Sequence, residues 1–181
     1  MNLANQLTLS RILAAPVVLI LLLKGLPVPA FWLYAATALT DAVDGMAARL
    51  LNQETKLGAL LDPLADKVLM VTVYPGLVLS GLLESWVLAL FISRDLVIII
   101  GWVLTYVLLG DVVPKTRPLG KLSTAAQMFL AMSVLLKAAY PPAALSLGPL
   151  PGVLQAAAVA LTVASMLDYI VTGSRRLGSA S

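Results

Sequence analysis

Apolar residues in this chain come in long blocks separated by short polar or Gly/Pro-rich breaks. They do not show the strict alternation of a half-buried strand or the one-sided stripe of a soluble helix. Six blocks can be drawn, at Ile12–Leu23, Phe31–Leu50, Leu57–Leu79, Trp86–Leu109, Leu122–Tyr140 and Val153–Val171. A helix needs about 20 mostly apolar residues to cross a bilayer, and most of these blocks meet that length. Leu3, Leu7 and Leu9, with Asn5, Gln6, Thr8 and Ser10 between them, predict a short interfacial helix leading into the first span. The breaks fall at Gly25 to Pro29, Pro114, Pro141-Pro142 and Gly148 to Gly152. Pro75-Gly76 lies inside the third block and predicts a kink there. The expected fold is an all-α integral membrane domain of six transmembrane helices, a single domain over residues 1–181, without internal repeats.

Composition supports that class. Of 181 residues, 60% are hydrophobic and 12% charged, against about 45–50% and about 25% in soluble domains. The absence of cysteine excludes disulfides and thiolate metal sites, and the absence of histidine excludes imidazole bases and ligands. Chemistry here must run on carboxylates and cations. The net charge of +3 is read through membrane topology, not nucleic-acid binding. With six spans, one side collects Arg11, Arg49, Lys56, Lys115, Arg117, Lys121, Arg175 and Arg176, and the other only Lys24 and Lys137. By the positive-inside bias both termini are cytoplasmic. Trp32, Trp86 and Tyr140 then fall at outer ends of spans, where amphipathic rings prefer to sit.

Nine residues in all are Asp or Glu, and four of them stand close together as Asp41, Asp44, Asp62 and Asp66. Carboxylates are costly in hydrocarbon, and an ionisable group there marks a functional site by default. Asp41 and Asp44 are three apart and Asp62 and Asp66 four apart, so on helices each pair shares a face. Two neighbouring antiparallel helices would direct the four at one spot near the cytoplasmic surface. Such charges repel unless a hard divalent cation joins them, and Mg²⁺ and Mn²⁺ both take oxygen ligands. A pair of ions suits four carboxylates. Gly45, Ala48 and Gly58 would leave room beside that face for a bulky ligand, although close helix packing would use the same small residues. Arg49 and Lys56 suit phosphate binding or serve as topology charges.

The full spacing, Asp41-x2-Asp44-Gly45-x2-Ala48-Arg49-x8-Gly58-x3-Asp62-x3-Asp66, resembles the signature of the CDP-alcohol phosphotransferase family of membrane enzymes. The resemblance extends through Asn5-to-Arg11, Asp62-Pro63-Leu64-Ala65-Asp66-Lys67, Ser93-Arg94-Asp95, and Lys121 with Thr124 and Gln127. It implies a six-helix homodimer that uses Mg²⁺ or Mn²⁺, as two ions, to displace CMP from CDP-diacylglycerol. It also implies Asp41, Asp44 and Asp62 as metal ligands and Asp66 as ligand and catalytic base. Asp41, Asp44, Gly45, Ala48, Arg49, Gly58 and Asp62 would bind the CDP moiety. The setting would be a bacterial inner membrane, with the site on the cytoplasmic side.

The acceptor is addressed by cations further along. Arg94 lies inside the fourth span and needs an anionic partner there. Neighbouring helix positions diverge, so Asp95 is expected to be an imperfect partner. Either a carboxylate on another helix or an acceptor phosphate, held by Arg94, Lys121 and Arg117, would fill the role. Asn52-Gln53-x-Thr55-Lys56 resembles the branch that uses glycerol 3-phosphate. That branch usually has Glu after the span-four arginine and a second arginine about two turns on, where this chain has Asp95 and Trp102. Ser93-Arg94-Asp95 and the Arg117-Pro118 approach to Lys121 resemble the cardiolipin-forming branch, whose acceptor is phosphatidylglycerol, and that branch is favoured. A cation carrier with an acidic site is the alternative of another class. Carrier sites favour the midplane and repeated halves, whereas these acids lie toward one face.

Overall fold

The computed structural model describes residues 3–50, 56–110, 118–141 and 147–178, with side chains at 12–40, 67–107, 110, 118–141 and 147–174. The described residues hold six long helices: α1 (Leu3–Leu23), α2 (Pro27–Leu50), α3 (Lys56–Leu79), α4 (Ser85–Leu109), α5 (Pro118–Ala139) and α6 (Leu150–Gly178). No strand occurs among them. The polar lead-in and the first apolar block form one helix, α1, because no breaker separates Leu3 from Ile12. α2 and α5 each open several residues before their apolar blocks, on Pro27 and Pro118. Proline suits a first helical position, where its missing N–H would have had no partner.

Helix ends follow from backbone hydrogen bonding. At the end of α1, Gly25 takes φ +67°. Its N–H bonds to Leu22 O at 2.9 Å, and the Leu26 N–H to Leu21 O at 2.9 Å. α3 ends the same way, with Gly81 bonding to Val78 O at 3.0 Å and Leu82 to Leu77 O at 2.8 Å. Both are Schellman closures, which need a left-handed residue that glycine adopts without strain.

By its contacts the chain divides into two compact units, Met1–Leu83 with Ala131–Gly148, and Glu84–Leu130 with Pro149–Ser181. In the first, α1 packs against α2 and α3. A Cβ on Gly76 would lie 3.1 Å from Leu19 Cδ1 and 2.9 Å from Leu22 Cδ1. The Ser80 hydroxyl donates to Leu22 O at 3.1 Å. Residues later in α3 thus meet residues later in α1, and the two helices run parallel. α3 remains one helix across Pro75-Gly76, and the glycine serves there as a notch for α1. At the start of α2, Trp32 Nε1 donates to the Tyr140 hydroxyl at 2.8 Å, beyond the last turn of α5. Phe31 sets its edge against both rings, 5.4 Å from Trp32 and 6.1 Å from Tyr140. The beginning of α2 and the end of α5 therefore share one level.

In the second unit α4 packs along α6. Gln155 Nε2 donates to Glu84 Oε2 at 2.8 Å, and Arg94 NH2 to Ser165 Oγ at 3.1 Å. Both links keep the same ten-residue interval along each helix, so α4 and α6 run parallel and in register. α5 meets α6 in the opposite order, Gly120 near Ser165 and Ser123 against Thr162. Alternation of this kind is what consecutive crossings require.

Among the described residues three stretches are long and apolar enough to cross a membrane: Ser85–Val107, Pro118–Ala139 and Leu150–Ser174, with mean hydropathy 2.2, 1.4 and 1.8. At about 1.5 Å per residue each exceeds a hydrocarbon core of about 30 Å. Apolar stretches of α1 and α3, Ile12–Leu23 and Lys67–Leu79, are shorter. Ile99, Ile100, Trp102, Val103 and Leu104 are all exposed and form a broad apolar face on α4. An exposed apolar face suits lipid, where apolar surface has no water to avoid. The protein is an integral membrane protein.

The Gly76 notch gives a direct test. Gly76→Val should lower stability by about 1–3 kcal/mol, because buried Leu22 has no room to retreat. Thermal unfolding in detergent, with helical content checked by circular dichroism, measures the loss.

Candidate active site

Arg94 sits on the face of α4 turned toward α6 and is only 5% exposed. Its NH1 donates to Asp95 Oδ1 at 2.8 Å. Its NH2 reaches Ser165 Oγ at 3.1 Å and the Gly120 carbonyl at 3.4 Å. Asp95, expected to be an imperfect partner, forms the ion pair after all. Adjacent Cβ atoms on a helix diverge, but the long arginine stem lets the guanidinium turn back across that angle. Among the described residues the cross-helix partners are a hydroxyl and a backbone carbonyl, not a carboxylate of another helix. Nε is buried and has no hydrogen-bond partner among the described residues.

One turn away the polar groups are better satisfied. The Thr162 hydroxyl donates to Ala158 O at 2.7 Å, which commits its one proton. Ser123, 3.0 Å from Thr162 Oγ1, must then be the donor of that pair. Gln127 Nε2 donates to the same oxygen at 3.1 Å. Ser123, Thr162 and Gln127 are all buried, and together they tie α5 to α6 across the apolar interior. The Thr124 hydroxyl turns back to Gly120 O at 3.1 Å. Lys121 is exposed in the first turn of α5.

Asp41, Asp44, Gly45, Ala48 and Arg49 fall in the last turns of α2, and Gly58, Asp62 and Asp66 in the first turns of α3. Both helices pack against α1. The side chains at these eight positions, and Arg117 as a whole, lie outside the described residues. Among the described residues no group of three or more His, Cys, Asp or Glu could hold a metal ion. Of the cations and neighbours singled out in the sequence, the structure places Arg94 and Gln127 inside the second unit and Lys121 at its surface. Ser165, Gly120 and Thr162 were not singled out. Their signal is the spacing of Thr162 with Ser165, and of Gly120, Ser123 and Gln127, at three to four residues within apolar helices.

The sequence signature of the family described as CDP-alcohol phosphatidyltransferase matches residues 1–170. The chain belongs to this family. It is similar over 98% of its length to a probable phosphatidylglycerophosphate synthase of Mycobacterium tuberculosis, at 34% identity, covering 84% of that protein. It is also similar to a CDP-diacylglycerol–glycerol-3-phosphate 3-phosphatidyltransferase of Aquifex aeolicus, at 31% identity over 98% of each chain. A probable CMP-forming cardiolipin synthase of Drosophila melanogaster matches at 34% identity over 64% of this chain and 36% of that protein. Membership makes the chain a phosphatidyltransferase of phospholipid synthesis, and the cation-carrier alternative falls.

The seam of Ser123, Thr162 and Gln127 is testable without substrate. Thr162→Val removes the acceptor that the buried Ser123 and Gln127 share. It should cost about 1 kcal/mol or somewhat more. Apparent melting temperature in detergent should fall, and Ser123→Ala on the same background should recover part of the loss.

Proposed function

We propose that this protein transfers the phosphatidyl group of CDP-diacylglycerol to phosphatidylglycerol, releasing CMP and forming cardiolipin. The reading places a homodimer of six-span chains, each one domain over residues 1–181, in a bacterial inner membrane with both termini and the active site cytoplasmic. The observation that carries it is the family match over residues 1–170, with the four aspartates in the last turns of α2 and the first turns of α3.

The donor set fits a hard divalent ion. Without histidine or cysteine, the chain can offer only oxygen ligands, which suit Mg²⁺ or Mn²⁺, in keeping with the family's general use of divalent metal ions. Asp41, Asp44, Asp62 and Asp66 would hold two such ions. Bound there, the metal supplies charge neutralisation to the diphosphate. Asp41, Asp44 and Asp62 orient the CDP moiety, and Gly45, Ala48 and Gly58 leave the space it enters. Arg49 answers its negative charge. Asp66 accepts the proton of the acceptor hydroxyl as that oxygen bonds to the phosphatidyl phosphorus and the bond to CMP breaks.

Arg94, Lys121 and Arg117 hold the acceptor's phosphate. The unpaired Nε of Arg94 supports that assignment, because a buried donor without a partner costs about 1–3 kcal/mol unless something completes it. Asp95 already balances the charge of Arg94, which favours a monoanionic phosphodiester over a dianionic monoester. Where a second arginine would stand, Trp102 is exposed and leans on Tyr106 with ring centres 6.1 Å apart. The second reading, glycerol 3-phosphate as acceptor, is favoured by the names of relatives that match 98% of the chain.

Radiolabelled CDP-diacylglycerol, purified protein and each acceptor in turn decide between them. Labelled cardiolipin is the expected product; labelled phosphatidylglycerol phosphate alone would select glycerol 3-phosphate. Asp66→Asn should lower turnover by about a hundredfold or more while CDP-diacylglycerol still binds. Wild-type turnover in that variant would remove Asp66 as the base.

A further inference from the structure

The guanidinium of Arg94 is oriented by more than its own helix. NH2 divides its two protons between Ser165 Oγ on α6 and Gly120 O on α5, and NH1 is fixed by Asp95. A planar guanidinium held at both terminal nitrogens has no rotation left, so the direction of its Nε–H is set by these partners. Ser165 is fully buried, and its contact is the shorter of the two cross-helix contacts. Gly120 acts by lacking a side chain. A Cβ there would stand 3.0 Å from Arg94 NH2 and 3.7 Å from Ser165 Oγ. Even alanine would press the guanidinium away from its place.

Helix adhesion alone does not explain this arrangement. One turn away, Ser123, Thr162 and Gln127 already join α5 to α6 through a shared hydroxyl that donates and accepts. At the Arg94 level the same two helices are joined in a way that leaves one buried N–H unpaired. Buried polar groups are nearly always satisfied, and an exception calls for a ligand or a functional cause. The Gly120 carbonyl that receives Arg94 also lies next to Lys121, so the anchor fixes the turn carrying the second cation.

We propose that Ser165 and Gly120 are positioning residues for the acceptor. Ser165 Oγ and the open Cα of Gly120 aim the Arg94 Nε–H at a phosphate oxygen of the acceptor. This rests on the reading above that Arg94 contacts that phosphate. The chemistry recognised is a phosphate ester, and the two acceptors distinguish its source, lipid phosphodiester or soluble monoester.

Steady-state kinetics on the full-length protein in detergent tests the proposal, with CDP-diacylglycerol and each acceptor varied in turn. Ser165→Ala and Gly120→Ala should each raise the acceptor KM by about tenfold, the effect of losing one oriented hydrogen bond. The KM for CDP-diacylglycerol and kcat should stay within about twofold. Arg94→Ala should raise the acceptor KM at least as much, and Ser165→Ala added to it should change nothing further. A Ser165→Ala effect that falls equally on both substrates, or adds fully to that of Arg94→Ala, overturns the positioning role and leaves Arg94 as an acceptor ligand. An unchanged acceptor KM in Arg94→Ala overturns both the ligand assignment and the inference built on it. Should Arg94→Ala not fold, Arg94→Lys takes its place in the cycle, since lysine keeps the charge and loses the planar fork.

Discussion

A guanidinium taken out of water inside apolar helices must find its partners within the protein, and that requirement organises the second unit. Arg94 draws its partners from its own helix, from α5 and from α6. These contacts hold only if α4 and α6 run parallel and α5 runs against them. The Glu84–Gln155 link repeats the α4–α6 register ten residues earlier, and the Ser123–Thr162 pair repeats the α5–α6 register one turn away. Polar links of this kind are individually modest, on the order of 1 kcal/mol. Their value lies in register, because sliding a helix by one turn would leave several buried groups unpaired at once.

The first unit reaches its arrangement by shape and by aromatic contact. α1 settles into the Gly76 notch of α3, and both helices end in Schellman turns built on Gly25 and Gly81. Trp32, Phe31 and Tyr140 gather where α2 begins and α5 ends. Amphipathic rings of this kind favour a membrane–water interface.

Much of this was legible in the sequence because apolar block length and Gly/Pro breaks report directly on helices in an apolar medium. The six helices fall on the six blocks, differing mainly at their ends, where Pro27 and Pro118 start helices earlier than hydrophobicity alone suggests. The kink expected at Pro75-Gly76 was read from backbone chemistry, whereas the use of Gly76 depends on Leu19 and Leu22, more than fifty residues away. Local spacing could not show that. Arg94 was visible as a charge in an apolar run, but its pairing with Asp95 turns on the reach of one side chain. Ser165 and Gly120 were silent because serine and glycine are ordinary in membrane helices, and only the fold brings them to the guanidinium. The aspartates were the most legible feature, since their spacing alone suggests chemistry.

Phosphatidyl transfer as proposed requires the acids of α2 and α3 to hold divalent metal. Titration of purified, metal-stripped protein with Mn²⁺, followed by electron paramagnetic resonance with CDP-diacylglycerol present, tests it most directly. Saturable binding of about two ions per chain is expected, with occupancy reduced in Asp41→Asn and Asp62→Asn. Absence of bound Mn²⁺ in the unaltered protein, or occupancy indifferent to both substitutions, would contradict it.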